Sequence, residues 1–223
     1  MKKFAVIFSA FLLLFGLAGG ASAYSINYLY ALNGTEFTSP YAGVSVETFN
    51  NVSNPAPPVT GSDQGWTWSG TFNIVSLPNT SSYAAPYGSG AEDGSKYVTV
   101  PLNFNQGNSV SVALGGTYNY FGLWWGSVDD YNTLSFYNGA TLVASFTGSQ
   151  AISPSEANGN QTAPGQNLYV NFLNLPDFDS FSMASTQYAF ETDNITVGRV
   201  PEPMTMLLLG FGLIGLAGLR RKS

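Results

Sequence analysis

Between its two ends the chain alternates apolar and polar residues in short runs, separated by clusters of Gly, Pro and Asn. A period of two sends successive side chains to opposite faces of an extended backbone, so the pattern predicts strands, and no window sustains a helical period. Strands are expected at Tyr24–Leu32, Val44–Phe49, Trp66–Val75, Lys96–Phe104 and Ser109–Leu114, the last two paired with each other. Thr117–Trp125, Thr133–Tyr137 and Ala140–Phe146 are expected to form an antiparallel meander. Its second turn is Asn138-Gly139, two residues that tolerate the positive φ of a tight hairpin. Gly148–Gln166 reads as a long polar loop, and Gln166–Leu173, Ser180–Met183 and Ala189–Val197 complete the set. The fold expected is all-β: an antiparallel two-sheet jelly-roll sandwich, with its first and last strands near each other.

The two ends break this pattern. Met1-Lys2-Lys3 is cationic, Phe4–Leu17 is apolar, and Ala21-Ser22-Ala23 has the small residues of a cleavage site. Residues 1–23 therefore read as a secretory signal helix for the Sec export machinery, cut between Ala23 and Tyr24. At the other end, Pro201 and Pro203 fix their own φ and push Val200 and Glu202 toward extended backbone. An uncharged run of 16 residues, Met204–Leu219, follows, closed by Arg220, Arg221 and Lys222. As a helix this run rises about 24 Å, short of a hydrocarbon core of about 30 Å, a gap that bilayer thinning and snorkelling close. Lys and Arg stay on the cytoplasmic side, so a transmembrane helix here leaves residues 24–199 outside.

Val200-Pro201-Glu202-Pro203, a short Gly- and Leu-rich helix and a terminal Arg-Arg-Lys cluster, in that order, resemble the PEP-CTERM sorting signal over residues 200–223. The resemblance implies that the tail is recognised and cut by exosortase, a membrane cysteine transpeptidase of bacteria that make exopolysaccharide. It also implies a membrane-anchored intermediate and then release to the cell surface or extracellular matrix. The run FGLWWGSVDDYNTLSFYNGATLVASF is similar to a block that recurs in such surface proteins and carries no activity. The alternative for the tail is an ordinary C-terminal anchor that is never cut.

Composition narrows what residues 24–199 can do. Lys96 and Arg199 are their only cations, whereas twelve of the chain's 13 carboxylates lie in them. Such an acidic surface does not neutralise phosphates, so nucleic acid is excluded as a partner. The absence of cysteine leaves burial alone to hold an exported domain. The absence of histidine removes Ser-His-Asp and Cys-His catalysis and any His-ligated metal.

Three constellations remain. Trp124 and Trp125, with Asp129, Asp130 and Asn132 in the adjoining turn, combine flat aromatics with hydroxyl acceptors, the equipment of a glycan-contact patch for exopolysaccharide; filling of a two-layer core is the competing use. Glu47, Asp93 and Asp193, three separated acidic positions, resemble those of carbohydrate-binding jelly rolls, a resemblance that implies a structural Ca²⁺ held with backbone oxygens. Glu92 or Glu191 can take a place in that set, and solvated strand-end carboxylates are the alternative. Carboxylate pairs also raise glycoside hydrolysis. The expected function is thus non-catalytic, structural or adhesive at the surface, with a carboxylate-dependent carbohydrate-active enzyme as the alternative. A carboxylate pair lining a concave pocket is what would separate the two.

Overall fold

The structure is a computed structural model that describes residues 24–30, 38–52, 62, 64–76, 82–88, 91–92, 95–101, 107–153 and 155–200. The expected signal helix and transmembrane helix lie outside these residues. Among the described residues no helix is long and apolar enough to cross a membrane.

The strands are β1 (Ser25–Tyr30), β2 (Ser45–Glu47), β3 (Thr67–Gly70), β4 (Asn73–Val75), β5 (Tyr87–Gly88), β6 (Ala91–Glu92) and β7 (Tyr97–Val100). They continue with β8 (Ser109–Tyr118), β9 (Tyr120–Gly126), β10 (Asn132–Asn138), β11 (Thr141–Thr147), β12 (Leu168–Leu173), β13 (Phe178–Ser185) and β14 (Phe190–Gly198). A short helix α1 (Gly148–Ala151) and a 3-10 turn at Pro164–Gln166 punctuate the long connection before β12. One antiparallel sheet has the order β1-β12-β9-β14-β7-β4, with β2 also on β14; the other has the order β11-β10-β13-β8-β3. The expected all-β, two-sheet architecture is what forms.

The core lies between the sheets and is largely aromatic. Phe121 of β9 meets Phe136 of β10 at 5.0 Å and Phe181 of β13 at 4.8 Å between ring centroids. Phe146 meets Phe172 at 4.9 Å, and Trp125 stacks on Phe190 at 4.4 Å. Edge-on and offset contacts of this kind add to the area buried, and they replace the disulfides that the chain lacks.

Several pairings differ from expectation. The expected β10–β11 hairpin forms, but its turn is shifted by one residue: Asn138 ends β10 opposite Thr141, the two-residue loop is Gly139-Ala140, and of Asn138 and Gly139 only the glycine takes a positive φ, 56°. β9 does not join that meander; it crosses to the other sheet between β12 and β14. All seven of its residues are buried, which a central strand covered on both faces requires and a meander strand does not. β7 and β8 do not pair with each other either: β7 lies between β14 and β4, and β8 between β13 and β3. The single strand expected over Trp66–Val75 is two, one in each sheet. Gly70 turns the chain at φ 127°, in a spot where a Cβ would collide with the backbone of Ser109. β1 and β14 share a sheet but are separated by β12 and β9.

Phe121→Ala empties the centre of this aromatic cluster. We expect a loss of about 3–5 kcal/mol, read as a lower midpoint in chemical denaturation with an unchanged slope; a loss below 1 kcal/mol would show that the two sheets do not depend on this contact.

Candidate functional site: a polar cleft at one end of the sandwich

Three connections and one preceding segment meet where β9 ends and β14 begins. Ser127–Tyr131 links β9 to β10, residues 159–161 come from the β11–β12 connection, and Tyr188 and Ala189 lead into β14. With Ser82 they enclose a concave space of about 130 Å³, whose lining includes Ser127, Asp129, Tyr131, Gln161, Tyr188 and Glu191. Asn167 ties these segments together. Its Oδ1 accepts from the backbone N–H of Tyr87 (3.0 Å) and of Ser127 (2.9 Å), and its Nδ2 donates to the carbonyls of Asn160 (3.2 Å) and Ala163 (3.1 Å). That uses the whole hydrogen-bonding capacity of a carboxamide.

Glu191, the second residue of β14, is only 2% exposed. Its Oε1 accepts from the Ala84 N–H at 3.0 Å and its Oε2 from the Ser127 hydroxyl at 2.9 Å. Burial pushes its carboxyl up to about 8; the two hydrogen bonds pull it back, and the negative charge of Asp129 adds to the rise. Asp129 is raised to about 6, again chiefly by burial, with a hydrogen bond to Tyr131 opposing and the charge of Asp130 adding. The Tyr131 hydroxyl donates to the Tyr188 carbonyl at 2.8 Å, and burial beside these acids raises its own proton affinity. Gly159, at φ 70°, lies against Asp129 so closely that a Cβ there would strike the carboxylate. Near neutral pH the cleft therefore holds one neutral and one ionised carboxyl group, side by side.

The sequence-derived glycan patch is only partly reproduced. Trp124 and Trp125 do point to opposite faces of β9, but both are fully buried. Trp125 belongs to the inter-sheet core, and Trp124 packs with Tyr169 on the other face. Neither indole offers a face to a sugar, so both are removed from the patch: covering of the outer face of β9 is a tertiary event that the strand pattern does not encode. Asp129 lines the cleft, and Asp130 is exposed beside it. Asn132 is buried and structural, donating to the Ala189 carbonyl at 3.2 Å and accepting from the Ser185 hydroxyl at 2.7 Å. The aromatics actually present at the cleft are Tyr131 and Tyr188, the latter 40% exposed.

Of the calcium set, Asp93 lies outside the described residues. Glu47 accepts from the Phe49 N–H at 3.0 Å and from the Ser62 hydroxyl. Asp193 accepts from the Asn194 N–H at 2.7 Å and the Ser95 hydroxyl at 2.6 Å. β2 and β14 do pair, with Glu47 opposite Ile195, but each carboxylate is engaged by its own protein donors. Among the described residues no group of three or more acidic side chains is placed to hold a cation.

At the other end of β14 the chain runs from Gly198 through Arg199 and Val200 into the proline pair. Residues 199–222 match the PEP-CTERM protein-sorting motif. The motif thus begins one residue after the last strand, at the end of β14 opposite Glu191. No curated protein matches the chain. Solved structures similar to it include CpGH89CBM32-6 produced by Clostridium perfringens, at 13% identity over 63% of this chain and 98% of that one, with a TM-score of 0.32. Others are chitosan-binding module 1 from a chitosanase/glucanase of Paenibacillus sp. IK-5 (12% identity, 70% and 92% covered, TM-score 0.27) and CBM32-3 from a family 31 glycoside hydrolase of Clostridium perfringens (12% identity, 76% and 95% covered, TM-score 0.29). Likenesses this distant carry no argument about the ligand.

Glu191 binds its proton more tightly folded than unfolded, so its contribution to stability is full below about 4.5 and is lost as pH rises through about 8. Asp129 adds the same sign of slope only up to about 6. Between pH 6 and 8 the unfolding free energy should fall by about 1.4 kcal/mol per pH unit, and Glu191→Gln should flatten that window. Denaturant melts across the range check this; equal slopes in both proteins would place an ionised Glu191 in the native cleft.

Proposed function

We propose that this chain is an exported cell-surface or exopolysaccharide-matrix protein, brought out by the Sec machinery, sorted by exosortase through its C-terminal motif, and non-catalytic. The single observation that carries this reading is the sorting motif at residues 199–222. The signal-like residues 1–23 support it from the other end. The two-sheet sandwich is read as a jelly roll, rigid enough to act as a structural or adhesive module.

The cleft is the place where such a module touches a glycan. Tyr188 and Tyr131 give it apolar ring surface, and Asp129 and Gln161 give it acceptors and donors for hydroxyl groups. An ionised Asp129 favours a neutral or cationic saccharide over an anionic one. Eight residues of β14 from Glu191 to Gly198 put roughly 23 Å between the cleft and the sorted end at about 3.3 Å per residue. A ligand in the cleft is therefore remote from the point of attachment.

A second reading has a specific observation behind it: two carboxyl groups with separated proton affinities line one concave space, which is how paired acid and base roles arise. We rank it below binding because both Glu191 carboxyl oxygens are occupied by donors of the protein.

Intact-mass measurement of the mature protein in wild-type cells and in cells lacking exosortase tests the sorting claim. We expect loss of Met204–Ser223 only where the enzyme is present; retention in both would leave a simple membrane anchor. Glycan-array binding of the mature protein tests the cleft. Tyr188→Ala and Asp129→Asn should each weaken binding at least about tenfold, equivalent to about 1.4 kcal/mol. Release of reducing sugar that stops on Glu191→Gln would instead establish the enzyme.

A further inference from the structure

The sorting motif is joined to the domain without a linker, and one side chain accounts for the join. Asn119 occupies the single-residue corner between β8 and β9. Its backbone N–H donates to the Gly198 carbonyl at 3.2 Å, and its own carbonyl accepts from the Leu175 N–H at 3.0 Å. Its carboxamide then takes both polar groups of Val200: Oδ1 accepts from the Val200 N–H at 2.9 Å, and Nδ2 donates to the Val200 carbonyl at 3.1 Å. A carboxamide paired in this way imitates a neighbouring strand and carries the ladder past the end of β14. Arg199 adds two further ties, from Nε to the Thr117 carbonyl at 3.1 Å and from its guanidinium to Asp177 at 2.9 Å. The ion pair itself is exposed and worth little; the paired carboxamide is the stronger restraint.

The Val200 carbonyl is the acyl group of the Val200–Pro201 bond. A cysteine transpeptidase attacks such a carbonyl with its thiolate, forming a thioester and releasing the downstream chain as an amine that gains a proton. A water or an acceptor amine then displaces the thiol. Attack requires an extended substrate strand seated in the enzyme, with the carbonyl turned toward the nucleophile. A chain whose N–H and carbonyl are both bound to the domain does not meet that requirement.

We infer that the Asn119 carboxamide sets the domain-side limit of processing, so that the bond cut lies after Pro201 or farther on and the mature protein retains Val200 and Pro201. Asn119 is on this account a positioning residue for the sorting reaction. The inference rests on the exosortase reading above, and its physical basis can be tested apart from it.

Two measurements do so on the full chain. In cells with exosortase, the mature wild-type protein should have one C-terminus, at Pro201 or beyond, and Asn119→Ala should add products ending at Val200 or earlier. A wild-type end at or before Val200, or an unchanged single end in Asn119→Ala, overturns the inference. In protein purified without exosortase, native trypsin provides the second test, because Lys96 and Arg199 are the only tryptic sites in residues 24–199. Cleavage after Arg199 should be slow in the wild type and at least about tenfold faster in Asn119→Ala, with equal melting temperatures. Asn119→Asp, which keeps the acceptor for the Val200 N–H and loses the donor to its carbonyl, should fall between them. Equal rates in wild type and variants overturn the clamp whatever exosortase does. An uncut tail in exosortase-bearing cells sinks the sorting reading instead, and the trypsin rates then decide the clamp by themselves.

Discussion

The last strand is buried along its whole length, yet it reads Phe-Glu-Thr-Asp-Asn-Ile-Thr-Val-Gly. Polar groups taken out of water must find partners inside the protein or cost several kcal/mol each. Much of the architecture around β14 answers that requirement. Glu191 is met by Ser127 and Ala84, Asp193 by Ser95, and Thr196 by the Tyr169 hydroxyl at 2.6 Å. Asn194 takes a positive φ of 49° where the β9 register shifts, a conformation that asparagine accepts more readily than most residues. One edge of the strand is held by β9, and the other by β7 and then β2.

That central strand has different surroundings at its two ends. Its first residues form the floor of an acidic, tyrosine-flanked cleft built from three connections; its last residues hand the chain to a sorting motif. The buried Glu191 carboxyl ties the cleft to the sheet, and the Asn119 carboxamide ties the motif to the opposite end. Both ends are held by side chains next to β9: Ser127 just after it on Glu191, and Asn119 just before it on Val200. On the function proposed above, ligand contact and tail processing fall at opposite ends of this strand.

How much of this is legible in the sequence depends on distance along the chain. The β10–β11 hairpin is legible because Gly139 is a local signal whose tolerance of positive φ permits the turn, although the loop proves to be Gly139-Ala140 rather than Asn138-Gly139. The sorting motif is legible because its chemistry is contiguous. The partners of β9 are not: its alternation of Phe121, Leu123 and Trp125 with Tyr120 and Trp124 fits either sheet, and only contacts with β12 and β14 decide. The break at Gly70 is hidden for a similar reason, since the glycine is required by the backbone of Ser109, which is far away in sequence. Trp124 shows the limit clearly. The strand pattern correctly sends it to the face opposite Trp125, but does not reveal that this face is covered as well. Glu191 is visible only as an acid within an apolar-flanked strand; its pairing with Asp129 across a cleft depends on the convergence of three separate connections.

The most direct test of a buried, internally satisfied β14 is an NMR titration of the Glu191 side-chain carboxyl carbon in the folded protein. The account predicts a midpoint near 8, the value set by burial against its two donors. A midpoint at the ordinary glutamate value of 4.5 would mean that water reaches this carboxyl, and would contradict the cleft as described.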